Sequence, residues 1–240
     1  MVVHLSFVIP ALNEAHYIGA AVDSIHDAMR GWDRQHGYEI IVVDDDSTDS
    51  TVAIARQCRA QIVQVRKRNI AAVRNAGGRK AHGKFLIFVD ADTKVSQQII
   101  REVTEALIDG ATWGTACAVP ADKCPFWARV GLKAYNYFYV HLRRCGYGFF
   151  FFLRKDVFEQ IGGFPEETRE GEDMALSKLL ARRHGRPTVL RSCIATSARK
   201  AQQFGFWYHV KMLWLTVRYG DEAYSRPEIA AYRDGELRVP

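Results

Sequence analysis

The sequence predicts an α/β fold, a single domain with a mostly parallel central sheet flanked by helices. Two observations carry this. Short apolar runs alternate with amphipathic stretches through the first half of the chain, the pattern of strand-helix units. Those runs are apolar at nearly every position, as strands buried on both faces must be. With 240 residues, 48% of them hydrophobic, the chain can bury a sizeable core and wholesale disorder is excluded.

The elements follow in order. Residues 5–9 read as a strand and 14–29 as a helix. Residues 39–43 are the second strand, followed by a helix at 48–59. A third strand at 61–65 precedes a helix at 70–81. The fourth, Phe85-Leu86-Ile87-Phe88-Val89, precedes a helix at 97–109 with Ser96 placed as its N-cap. Beyond Ala111 the alternation loosens. A strand is expected at 112–119, an aromatic-rich helix at 126–143, and a strand at 149–152 returning to the same sheet. A short helix at 156–161, a turn at Gly162-Gly163, an acidic segment and a helix at 174–182 complete the domain. It spans residues 1–200, and 201–240 form a C-terminal helical extension packed on it or lying at a membrane surface.

Net charge is +6, which suits an anionic substrate or a membrane surface. No helix-turn-helix, zinc-finger or RNA-recognition signature is present, so no nucleic-acid partner is expected. The five cysteines have irregular spacings and no Cys-x-x-Cys pair, and they read as buried small apolar residues in a reducing compartment. Neither a signal peptide nor an apolar run of about 20 residues is visible, so a cytoplasmic protein is expected.

Ligands in open α/β sheets gather beyond the carboxyl ends of the parallel strands. Three polar clusters stand there: Pro10-Ala11-Leu12-Asn13-Glu14, Asp44-Asp45-Asp46-Ser47 and Asp90-Ala91-Asp92. Singly, Asn13 and Ser47 read best as helix N-caps, and the last cluster reads equally as an acidic turn. Together they mark a site. Two carboxylates one residue apart repel unless a cation joins them, and a divalent ion gripping substrate phosphates would do so. No Gly-x-Gly-x-x-Gly or Walker motif is present to cradle phosphates, which leaves a metal and basic residues such as Arg68 and Arg74.

Further signals complete a known pattern. The stretches 6–14 and 42–51, Arg74-Asn75-Ala76-Gly77, the Asp-x-Asp, Gly162-Gly163-Phe164 and Glu172-Asp173 together resemble family 2 glycosyltransferases of the GT-A fold, over roughly residues 3–200. The resemblance implies an inverting transfer of a hexosyl or N-acetylhexosaminyl group from a UDP- or GDP-linked donor to a hydroxyl acceptor. It implies that Pro10, Ala11, Asn13, Glu14, Asp44 and Asp45 bind the nucleotide, with Asp45 facing the base. Arg68 and Arg74 would lie near the diphosphate and Asp90 with Ala91 near the ribose. Asp92 would hold Mn2+ or Mg2+, and Glu172 would lie on the donor side. Asp173 would be the general base. One departure stands out: Asp46 occupies a position where the family usually has Gly, and Asp tolerates positive φ better than most residues.

Glu172-Asp173 follows Gly171 and opens a helix, where the dipole should keep a carboxylate ionised; the alternative reading is that the pair merely caps that helix. Thr196-Ser197-Ala198-Arg199-Lys200 puts two cations in a loop, with Arg199 closing on the diphosphate or simply solvated. Residues 204–219 form an aromatic-rich helix that packs on the sheet or brings the enzyme to a polyprenyl-linked acceptor at the inner face of the membrane. His141, His184 and His209 are assigned nothing. Two rivals remain. One is a non-catalytic nucleotide-sugar-binding subunit. The other is a Mg-dependent phosphatase, whose Asp-x-Asp should follow the first strand and have Thr or Val where Lys94 stands.

Overall fold

A computed structural model describes residues 5–31, 37–168 and 171–199, together with helical positions 207, 210, 211, 214 and 218. Its main sheet has seven strands. In chain order they are β1 (Leu5–Ala11), β2 (Tyr38–Asp44), β3 (Gln61–Gln64), β4 (Phe85–Val89), β6 (Trp113–Thr115), β8 (Phe150–Arg154) and β9 (Thr188–Val189). Two short strands, β5 (Thr93–Lys94) and β7 (Ala118–Pro120), join β10 (Ile194–Thr196) in a second sheet ordered β5-β10-β7.

The main sheet is ordered β3-β2-β1-β4-β8-β6-β9, and only β8 runs antiparallel to its neighbours. Its central strands are mostly apolar because both faces are covered, whereas the edge strand β3 carries exposed Gln61 and Gln64. Phe7 and Ile9 pack with Ile25, Ile99 and Val103 on one face, while Val8 packs with Val73, Phe158 and Leu180 on the other. This alternation is the period-two geometry of a strand applied to a two-sided core.

The helices are α1 (Ile18–Ala28), α2 (Thr51–Gln57), α3 (Ile70–Lys80), α4 (Gln97–Ile108), α5 (Phe126–Asn136), α6 (Lys155–Ile161) and α7 (Glu172–His184). Ser96 caps α4 as expected, its Oγ accepting from the Ile99 amide. Gly77 lets α3 lie close on the sheet: a Cβ there would stand 2.3 Å from Val8 and 2.8 Å from Val43.

Four expectations change. The strand expected at 112–119 is two strands in different sheets. The chain turns at Ala116-Cys117, and the Asn136 side chain takes both backbone groups of Ala118, at 3.0 and 2.8 Å. The helix expected at 126–143 stops being α-helical at Asn136 and continues as a π-helix, Tyr137–Leu142, which turns Tyr139 and Val140 into the core. Helix α1 starts at Ile18 rather than Glu14, because the Glu14 carbonyl accepts from the amides of both Tyr17 and Ile18 in a preceding turn. The cysteines are all free, but Cys193 is exposed and only Cys117 and Cys145 are buried. Lys200 and most of the C-terminal extension, including His209, lie outside the described residues.

Candidate active site

The loops after β1 and β2 are stitched together. The Asn13 amide donates to Ser47 Oγ at 2.9 Å, and Asn13 Oδ1 accepts from the Thr48 amide at 2.8 Å. The Glu14 amide reaches Thr51 Oγ1 at 2.8 Å. Asn13 and Ser47 are therefore not helix caps; Tyr17 and Ser50 hold those positions without side-chain bonds. The left-handed Asn13 backbone (φ 54°) aims its amide side chain at the neighbouring loop instead. Asp46 adopts positive φ (67°), the conformation that glycine would supply, and pairs with Arg66 and Arg68 at 3.3 and 3.4 Å.

Asp44 and Asp45 are buried at the end of β2. Asp44 Oδ1 accepts from the Ser47 amide at 3.3 Å. Asp45 accepts from the amides of Lys67 (2.6 Å) and Arg68 (2.9 Å), which fixes the loop entering α3. Pro10 and Ala11 form the buried end of β1, and the Ala11 carbonyl accepts from the Asp45 amide at 2.9 Å.

At the end of β4 the Asp90 amide bonds the Phe149 carbonyl at 3.1 Å, tying this edge to the entry of β8. Buried Ala91 separates Asp90 from Asp92, and the two carboxylates point to different cations. Asp90 pairs with Arg74 at 2.8 Å. Asp92 Oδ2 lies 3.1 Å from Arg199 Nε. The Asp92 Oδ1 atom lies 3.5 and 3.4 Å from the hydroxyls of Thr93 and Thr196, which face each other across the β5-β10 pair.

Arg74, which the resemblance placed near the diphosphate, is enclosed, with only 3% of its side chain exposed. Its guanidinium binds Asp90, Glu172 and the Gly148 carbonyl (2.9 Å), and sits over the Phe164 ring. Burial opposes its charge, yet the surrounding carboxylates hold its pKa above the ordinary value. The next residue, Asn75, binds both backbone groups of Phe164 at 2.8 Å and Glu166 Oε1 at 2.9 Å. Gly163 is required at this contact: it has φ 87°, and a Cβ there would stand 2.4 Å from Asn75 Oδ1.

Glu172 and Asp173 both sit in the first turn of α7. Asp173 Oδ1 accepts from the Met174 amide at 2.7 Å and Oδ2 from the Gly148 amide at 2.8 Å. Its pKa is pushed up to about 6, chiefly by burial and then by the charge of Glu172, against the pull of Arg74 and the two amides. Asp173 sits where the helix dipole favours a carboxylate, and burial raises its pKa all the same. Asp173 is still largely ionised at neutral pH, but it titrates far above an ordinary carboxylate. A carboxylate in that range is suited to exchanging protons with substrate.

Sequence reasoning missed Gly148, whose backbone joins Asp173 to Arg74; its only signal was the Gly-Tyr-Gly entry to β8. It also assigned no role to Thr196, placed beside Asp92 by strand pairing alone.

A divalent cation fits this donor set in one way. Among the described residues no group of three or more His, Cys, Asp or Glu converges into a metal cage. Asp92, with the neighbouring Thr hydroxyls, offers the few hard oxygen ligands that suffice for an ion completed by water and substrate phosphates. Arg199 would have to withdraw from Asp92 first.

The chain is similar to known proteins in sequence and in fold. The chain is 26% identical over 189 residues to the glycosyltransferase AglE of Haloferax volcanii, covering 72% of this chain and 60% of that one. It is 28% identical over 112 residues to a dolichol-phosphate mannosyltransferase of Pyrococcus furiosus, covering 45% of this chain and 31% of that one. The chain thus spans less than two thirds of the length of either relative. In fold it matches Staphylococcus aureus TarS solved with UDP-GlcNAc (TM-score 0.66, 19% identity, covering 95% of this chain and 71% of that one). It also matches a Pyrobaculum calidifontis mannosyltransferase solved with GDP-Man and Mn2+ (TM-score 0.63, 18% identity, covering 98% and 75%). The parallel sheet with polar clusters at its carboxyl edge is therefore the GT-A fold. The profile described as Glycosyl transferase family 2 matches residues 6–162, from the first strand through the Gly162 turn, and the chain belongs to that family.

Proposed function

We propose that this chain transfers a hexosyl or N-acetylhexosaminyl group from a UDP- or GDP-linked donor to a hydroxyl acceptor, with inversion and with Asp173 as general base. One observation carries the reading: Asp173 is held by the Gly148 amide at the carboxyl edge of the sheet, with a pKa raised to about 6. There it can take the acceptor's proton as the oxygen attacks the anomeric carbon and the bond to the diphosphate breaks.

The stitched loops after β1 and β2, with Pro10, Ala11, Asn13, Glu14, Asp44 and Asp45, form the nucleotide side. Asp90 and Ala91 lie toward the ribose, and Arg68 and Arg199 toward the diphosphate. Glu172 pairs with Arg74 and holds it in place beside the donor. Bound at Asp92, Mn2+ or Mg2+ would neutralise charge on the departing diphosphate. The relatives support a nucleotide-sugar donor, since two structural neighbours are described with UDP-GlcNAc and with GDP-Man and Mn2+.

The acceptor is proposed to be lipid-linked and met at a membrane surface. Phe126, Val130, Tyr137 and Leu142 are exposed along one helical stretch, with Arg129, Lys133 and Arg143 interspersed. Trp207, Val210, Lys211, Trp214 and Arg218 are likewise exposed at helical spacing. Aromatic and basic residues on one helix face suit an anionic interface. Among the described residues no helix is long and apolar enough to cross a membrane.

Thermal shift with a panel of UDP- and GDP-sugars, with and without Mn2+, tests the donor reading, because a ligand bound by the native state raises its melting temperature. A metal-dependent rise with one donor is expected, and no rise with any would sink it. Hydrolysis of that donor separates an enzyme from a binding subunit. No sedimentation with anionic vesicles at low salt would remove the membrane reading.

A further inference from the structure

Arg199 lies between Glu14 and Asp92 at the carboxyl edge of the sheet. Its Nη1 and Nη2 fork onto Glu14 Oε2 and Oε1 at 2.7 and 2.6 Å, across 185 residues of chain. Its Nε faces Asp92 Oδ2 at 3.1 Å, so all three guanidinium nitrogens are engaged by carboxylates from two strand ends. The face of the group lies 4.9 Å from the centre of the Tyr17 ring. The loop that delivers it is tied down at the same point, since the Ser197 amide donates to the Asp92 carbonyl at 3.2 Å.

Asp92 and Glu14 are themselves largely buried, with 12% and 15% of their side chains exposed. Two carboxylates so placed need a positive charge between them, and leaving them unpaired would be strongly unfavourable. Arg199 supplies that charge within the chain. A dication arriving at Asp92 meets this guanidinium at close range, and like charges at such distances repel strongly away from bulk water. A diphosphate changes the balance, because it is the anion that both cations can share.

We propose that Arg199 is a built-in counter-ion for Asp92 and Glu14, which must leave Asp92 before a divalent ion binds there. It thereby makes metal binding depend on the nucleoside diphosphate. This rests on the assignment of the metal to Asp92. Arg199 is here a positioning residue: it sets the order in which metal and donor enter, and it joins no bond-breaking step. Coupling of this kind is reciprocal, so whatever Mn2+ affinity the diphosphate adds, Mn2+ returns to the diphosphate.

The test is Mn2+ titration followed by the electron paramagnetic resonance of the free ion, without nucleotide and then with UDP or GDP. For Arg199→Gln, nucleotide-free Mn2+ binding is expected to tighten by about tenfold, within the usual range of coupling between sites, and the gain on adding nucleotide to shrink by the same factor. Arg199→Lys keeps the charge but loses the fork and the ring contact, so it should shift Mn2+ binding in the same direction as Arg199→Gln and by less. Unchanged or weaker nucleotide-free binding in Arg199→Gln overturns the proposal. Asp92→Asn separates the two ideas: if it leaves nucleotide-dependent Mn2+ binding intact in the wild-type background, the metal assignment itself is wrong. Should Arg199→Gln unfold, the double variant Glu14→Gln/Arg199→Gln removes one of the two stranded charges, keeps Asp92 for the metal, and must still bind nucleotide-free Mn2+ more tightly than the wild type.

Discussion

The Gly148 amide donates to Asp173 Oδ2 at 2.8 Å while the Gly148 carbonyl accepts from Arg74 at 2.9 Å. One residue without a side chain thus sets the spacing between Asp173 and the buried cation. A Cβ at 148 would stand 2.9 Å from Arg74 NH2 and 3.3 Å from Asp173 Oδ2. Arg74 has no room to retreat. Gly148→Ala should therefore cost about 1–3 kcal/mol in urea unfolding, the usual penalty of overpacking. With Asp173 as the proposed base, displacing it should also lower the transfer rate on the order of 100-fold. A wild-type rate would dissociate this contact from catalysis.

Asp173→Asn should retain donor binding by calorimetry and lose transfer by at least about 100-fold, the scale of general-base catalysis. In the wild type, kcat/KM should fall as pH drops through about 6, the value to which burial and Glu172 raise Asp173. The sign for stability is the reverse of a salt-bridged carboxylate. A folded pKa above the unfolded one means the native state holds the extra proton, so this group's contribution is fully present below about pH 4 and is lost as pH rises through about 6. A flat rate profile between pH 5 and 7 would remove Asp173 as the base.

Arg74→Met strands Glu172 and Asp90. Breaking a buried pair from one side costs about 3–5 kcal/mol, so urea unfolding should show a loss of that size. The double variant Arg74→Met/Glu172→Gln should recover part of it. Full stability in the single variant would mean that Glu172 finds another partner.

Asn75 is buried and holds Phe164 by both backbone groups. Asn75→Ala leaves a buried amide and carbonyl unpaired, and about 2–3 kcal/mol of stability should be lost. Backbone amide exchange would show whether the opening is local to the Gly162-Gly163-Phe164 turn. Unchanged protection there would contradict the contact.

Asp92→Asn should weaken Mn2+-dependent donor binding and leave metal-free nucleotide binding nearly unchanged. Calorimetry with and without chelator measures both. Donor binding indifferent to the substitution and to chelator would place the metal elsewhere or exclude it.

Much of the fold was legible because a parallel sheet covered on both faces leaves a blunt trace: Phe85 to Val89 is buried at every position and apolar at every position. The split between β6 and β7 left no such trace, since strands of either sheet share the same composition and only the Asn136 contact and the pairing with β10 separate them. Asp44, Asp45, Asp90 and Asp92 could be expected at one edge, because the carboxyl ends of parallel strands necessarily lie together. The identity of their partners could not.

What the sequence determined by itself was the period of burial, the parallel order of strand and helix, and the edge at which the carboxylates gather, all consequences of local pattern. Only the tertiary structure decided that Arg74 belongs to Glu172 and Asp90, that Gly148 holds Asp173, and that Arg199 lies between Glu14 and Asp92. Those pairings join residues 16 to 185 positions apart. Charge complementarity carries no direction along a chain, so which cation meets which carboxylate is settled only when the sheet brings their backbones together.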